Sequence, residues 1–169
     1  MQELYRADGH SGSDLLDHDA LASVPLGAAD SPEDRMVRRQ LDEARLLAGN
    51  GELRLARVLC AEVVFEHLMR LARDRALLCV AIATLIHARG FQLLGRLLAA
   101  VDGRRVRVAL GTPLAGSASP AHLIGRSEEH GATTFTVSER LFRDPSRDAV
   151  IDRWSEELAH GPRGAATAS

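Results

Sequence analysis

From Glu52 to Val101 the chain runs through fifty residues rich in Leu, Ala, Val and Ile, with scattered charges and two glycines, Gly90 and Gly95. Apolar residues at this density must leave water together. A run this long exceeds any strand, since strands rarely pass about 10 residues, so it reads as successive helices. The stretch is expected to be the buried helical centre of one domain.

The length of 169 residues suits one domain with tails. Aromatics make up 4% of the chain, so the core has to be aliphatic. A net charge of −2 excludes a general electrostatic attraction to nucleic acid or anionic lipid. Every cation is Arg, which favours bidentate pairing. No basic segment followed by an apolar run marks a secretory signal near Met1. The longest strongly apolar stretch without a charge, Ala76–Ala88, is 13 residues, short of the ~20 a bilayer requires. A cytoplasmic protein without membrane or nucleic-acid partners is the expectation.

The sequence divides in order. Residues 1–30 lack sustained periodicity and read as an irregular leader. Ser31-Pro32-Glu33-Asp34 then opens a helix: Ser31 caps, Pro32 fits the first helical position, and the acids suit the helix dipole. This helix runs to about Ala48, with Met36, Val37, Leu41, Ala44, Leu47 and Ala48 on one stripe, and Gly49-Asn50-Gly51 ends it. A second helix spans Glu52 to about Asp74. Its apolar set, Leu53, Ala56, Leu59, Cys60, Val63, Val64, His67, Leu68 and Leu71, is broader than one stripe and implies neighbours on two sides.

Ala76–Arg89 is apolar nearly all round, as befits a central helix, and Phe91–Val101 supplies a fourth. The period then changes. Arg105–Leu110 and Ala132–Ser138 alternate as half-buried strands. Between them Ser119-Pro120 repeats the cap signal, which predicts a short helix from Pro120 to about Glu129. The two strands are expected to pair as an antiparallel hairpin; a parallel pair joined by a crossover is the alternative. Asp144-Pro145-Ser146 opens a last helix over 144–160, with Val150, Ile151, Trp154 and Leu158 on one face and Gly161-Pro162 beyond it. The tail, 161–169, is small, polar and expected to be disordered. The resulting fold class is α+β and predominantly helical. A bundle of about four helices over 31–102 precedes a two-stranded β element over 104–138 and an amphipathic C-terminal helix, all within one domain over 31–160.

The pair Ser31–Ala48 and Glu52–Asp74 resembles a tetratricopeptide-type helical hairpin, with Leu47, Gly51, Leu53 and Ala56 near that repeat's small and apolar positions. The resemblance covers about 40 residues. The repeat's aromatic and proline positions are not matched, and no second copy is convincing.

Chemical motifs are scarce. His67 and His87 are the histidines in strong helices, with Glu62 and Glu66 near the first, but no HExxH or ExxH spacing accompanies them and no metal site is expected. Residues 111–117 follow a strand without forming GxxxxGK[ST] or GxGxxG, so no phosphate cofactor is assigned. Arg104, Arg105 and Arg107 read as the wet face of a strand. Cys60 and Cys79 sit in apolar surroundings that suit small hydrophobes rather than nucleophiles. No catalytic residue is assigned. The leading functional expectation is a non-enzymatic interaction or assembly protein, such as a small subunit, adaptor or chaperone, whose apolar helical surface meets another protein or a second copy. The alternative is a small-molecule-binding regulator or small enzyme with a pocket between helices and strands, its rim formed by Thr112, Ser117, His122 and His130.

Overall fold

In a computed structural model, the described residues are 31–111 and 123–160. The chain divides into two compact units, 1–35 and 36–169, and of the first unit residues 31–35 are among those described. The expected leader and tail, and the proposed cap at Ser119-Pro120, lie outside the described residues.

Four helices come first: α1 (Pro32–Gly49), α2 (Leu53–Arg73), α3 (Arg75–His87) and α4 (Phe91–Asp102). Strands β1 (Arg105–Gly111), β2 (Ile124–Glu129) and β3 (Ala132–Ser138) follow, then a 3-10 turn (Glu139–Arg143) and α5 (Arg147–Ala159). The protein is mostly helical with a small sheet.

Local chemistry sets the helix boundaries. The Asp34 amide donates to Ser31 Oγ at 3.1 Å, the cap that the Ser-Pro-Glu-Asp run predicts. Past the end of α1 the Gly51 amide donates to the Ala48 carbonyl and the Glu52 amide to the Leu47 carbonyl. This reversal needs a left-handed residue, and Gly51 has φ 86°. Asp74 separates α2 from α3, its carboxylate accepting from the Ala76 and Leu77 amides at 3.0 and 3.2 Å. Beyond α3 the Gly90 amide reaches the Leu85 carbonyl at 2.8 Å and the Arg89 amide the Ile86 carbonyl at 3.0 Å. Here Arg89, with φ 57°, takes the left-handed position, and its guanidinium lies 4.4 Å from the Phe142 ring centre.

Helix α3 is the centre of the second unit. Leu77, Leu78, Ala81, Ile82, Ala83, Leu85 and Ile86 are all buried, together with Thr84, whose hydroxyl donates to the Val80 carbonyl at 2.7 Å. Its closest helical neighbours are α5 and α2. Helices α3 and α5 run antiparallel. Arg75 at the start of α3 donates to the Ala159 carbonyl at the end of α5, 3.2 Å away, while His87 at the end of α3 faces Asp148 at the start of α5. The pair α1–α2, which resembles a tetratricopeptide hairpin, is not among the close pairings.

The sheet corrects three expectations. It has three strands in the order β1–β3–β2, and residues 124–129 form an edge strand rather than the end of a helix. β2 and β3 form the antiparallel hairpin, joined by His130 and Gly131, both with positive φ (52° and 77°). A two-residue turn of this kind matches the right-handed twist of its strands. With that side of β3 occupied, β1 pairs with the other edge, and it does so parallel, Val108 opposite Phe135. An antiparallel hairpin between residues 105–110 and 132–138 is therefore excluded.

Val106, Val108, Phe135 and Val137 share the sheet face that meets the helices, while Arg105 and Arg107 are exposed on the other. Trp154 of α5 meets Phe135 edge to face at 5.1 Å, which anchors the last helix as its sequence pattern implies. Helix α4 crosses β1 at Gly95, where an added Cβ would lie 3.1 Å from the Val106 carbonyl oxygen. The close approach of helix to strand rests on that missing side chain. A Gly95→Val substitution is expected to lower the unfolding free energy by about 1–3 kcal/mol in urea titration. An unchanged midpoint would show that α4 does not approach β1 this closely.

Candidate interaction surface

Helix α2 is apolar on two opposite sides. Its inner side carries Ala56, Cys60, Val63, Val64 and Leu71, all buried. Its outer side carries Leu55, Val58, Phe65 and Met69, whose relative exposures are 56%, 51%, 66% and 63%. Their spacing is i, i+3, i+10 and i+14. Position i+7 completes a 3-4-3-4 seam, the pattern by which one helix lies along another. That position is Glu62, and it is exposed.

A seam at this spacing stays on one face because seven residues make nearly two helical turns. The helix departs from regular geometry at His67 (φ −122°, ψ 25°), between Phe65 and Met69. His67 Nε2 is buried without a hydrogen-bond partner among the described residues, the Glu66 carboxylate standing 3.8 Å away. Other exposed large apolar residues, Met36 and Leu46 on α1 and Leu110 on β1, do not continue the seam.

Glu62 has no cation at the helix spacings where one would help. Residues 58, 59, 65 and 66 are Val, Leu, Phe and Glu, and no ion pair involves it among the described residues. The neighbouring Glu66 at i+4 repels it, at a cost of about 0.2–0.5 kcal/mol in an isolated helix. Among the described residues no ion pair compensates Glu62.

The histidines and cysteines are placed differently. His87, at the end of α3, is nearly buried, with Nε2 3.8 Å from the Asp148 carboxylate and without a hydrogen-bond partner among the described residues. Burial pushes its pKa below the ordinary value, assisted by Arg45 and Arg147 and opposed by Asp148 and Asp152. Cys60 and Cys79 are free thiols. Burial pushes Cys60 up to about 12, so it is a protonated core residue. Burial also raises Cys79, with Glu156 and Asp152 adding to the effect. No group of three His, Cys, Asp or Glu side chains among the described residues is arranged to hold a metal ion.

Of the four pocket-rim candidates, Thr112, Ser117 and His122 lie outside the described residues. His130 occupies the first turn position of the β2–β3 hairpin, with its side chain 90% exposed. The outer seam of α2 is absent from the apolar set that the sequence singles out for that helix, although the width of that set does imply contacts on two sides. The signal that would have found it is the 3-4-3-4 recurrence of residues 55, 58, 62, 65 and 69. No helix among the described residues is long and apolar enough to cross a membrane. No family model, curated protein or solved structure matches the chain.

Substitutions on the two sides of α2 should differ sharply in their effect on stability. Phe65→Ser and Met69→Ser remove mostly exposed surface and should each shift unfolding by no more than about 0.5 kcal/mol. Leu71→Ala, two residues beyond Met69 on the inner side, should cost about 2–5 kcal/mol; equal costs on the two sides would mean the outer seam is covered. For His87 the native state disfavours the proton, so its contribution is present above the unfolded value of 6.5 and is lost as pH falls. Urea midpoints should therefore drop between about pH 7.5 and 5.5, and less so for His87→Gln. An identical drop in that variant would show that another group is responsible.

Proposed function

We propose that this protein works by binding another protein through the outer seam of α2, as an interaction or assembly component rather than as an enzyme. The observation that carries this reading is the exposure of Leu55, Val58 and Phe65 on one line of α2, followed past the kink at His67 by exposed Met69, opposite an inner side whose Ala56, Cys60, Val63, Val64 and Leu71 are buried. Apolar residues scattered singly over a surface need no explanation, but a line at helix-packing spacing does. Fully burying an exposed Leu, Val, Phe or Met side chain contributes about 1.5–3 kcal/mol, and half to two thirds of each of these four is still open to be covered. A partner helix laid along four of them can therefore offset the cost of association. Phe and Met suit such a surface, because the ring supplies a large flat area and the flexible thioether adapts to the shape of what it meets.

Selection from a displayed library of helical peptides provides the test. Wild-type protein serves as bait, and a Phe65→Asp/Met69→Asp double variant with an unchanged circular dichroism spectrum serves as the counter-bait. The expected binders carry apolar residues at 3-4 spacing and lose at least about tenfold in affinity on the variant, roughly 1.4 kcal/mol. Binders that fail to distinguish the two baits, or a selection yielding none, would defeat the reading.

A further inference from the structure

Resting on the reading of the α2 seam as a binding surface, we infer that Glu62 selects the partner: the surface rejects a second copy of this chain and accepts a helix that carries Lys or Arg at the middle of its own apolar stripe. Symmetry is the starting point. The seam runs from residue 55 to residue 69, and its midpoint is residue 62. A second copy covering all four apolar residues can lie parallel or antiparallel to the first. Parallel and in register, each residue meets its own counterpart. Antiparallel about the midpoint, Leu55 meets Met69 and Glu62 again meets Glu62, but Val58 and Phe65 then fall opposite Glu66 and Leu59. In the antiparallel register that brings Val58 onto Met69, Glu62 faces Phe65 instead. The first two arrangements place two carboxylates together at the centre of the contact, where water is excluded and like charges repel most strongly, and the third buries each Glu62 carboxylate against an apolar ring with no cation to meet it.

A polar residue at one core position of a helix pair is a known physical device for choosing the partner at the expense of stability. Glu62 has the properties that the device needs. It is exposed, it interrupts an otherwise apolar seam, and no cation compensates it among the described residues. Glu66, one turn on, adds a second negative charge beside it, its carboxylate 3.8 Å from the His67 imidazole. A guanidinium or ammonium arriving on a partner helix would find both carboxylates within reach, and a carboxylate arriving there would be repelled by both.

The test uses the whole chain. Wild type and a Glu62→Arg variant are run separately and as an equimolar mixture in sedimentation velocity over a range of concentrations. The variant stands in for an apolar helix with a basic centre. Each protein alone is expected to sediment as a monomer, and the mixture to form a heterodimer at least about tenfold tighter than either self-association. A Phe65→Ser/Met69→Ser version of the wild type should abolish that heterodimer. Wild type that self-associates as tightly as the mixture would overturn the inference, as would a mixture that stays monomeric or a heterodimer that survives loss of Phe65 and Met69. Such failures leave the peptide selection unaffected, so charge selection at Glu62 and the binding role of the seam are judged separately.

Discussion

Everything in the second unit follows from the need to hide α3 on all sides. Its residues from Leu77 to Ile86 are buried apart from Cys79 and Val80, which are partly so. A helix without a wet face must be surrounded, and α2, α5 and α4 supply the walls. The same burial threatens the backbone groups at its two ends, because orphan amides and carbonyls away from water are costly. They are met by side chains from within the unit. Asp74 accepts the first amides, and Arg57 of α2 donates to the Ala88 carbonyl at 3.1 Å. Arg75 performs the same service for the end of α5. The absence of Lys from the chain thus has a structural consequence: the cations at these ends are guanidiniums, whose fork reaches a carbonyl at a distance.

Surrounding α3 also leaves the outer side of α2 uncovered. Helix α2 uses Ala56, Cys60, Val63, Val64 and Leu71 inwardly, and that set alone would account for a stable helix. The outer line of Leu55, Val58, Phe65 and Met69 contributes little to the interior. Its exposure and its regular spacing point in the same direction. Glu62 in the middle of that line would, on the proposed reading, temper the hazard that an uncovered apolar stripe presents by keeping copies of the chain apart. The cost is a small loss of helix stability next to Glu66.

Much of this was legible in the residues. The cap at Ser31, the reversal at Gly49-Asn50-Gly51 and the all-round apolarity of residues 76–88 are local signals, and local signals survive folding unchanged. The alternation in Arg105–Leu110 and Ala132–Ser138 was equally plain. What escaped depended on pairing. β2 reads Ile-Gly-Arg-Ser-Glu-Glu, with little β preference of its own, and is a strand because β3 holds it. Its turn is His-Gly rather than the more telling Asn-Gly or Asp-Gly. Once that hairpin exists, β1 has a single edge left on β3, and the direction of that pairing, parallel, is not marked by any local signal. The seam on α2 escaped for another reason. An apolar residue looks the same whether it faces a core or water, and on a helix rich in them on both sides the inner set masks the outer one.

Most depends on the outer line of α2 being open to solvent in the isolated protein. Paramagnetic relaxation of side-chain protons by a soluble, neutral gadolinium chelate measures this directly. Strong broadening is predicted for Leu55, Val58, Phe65 and Met69, with little for Ala56, Val63 and Leu71 on the opposite side of the same helix. Protection of both sets alike would contradict the proposed binding role, because the line would then be part of the core.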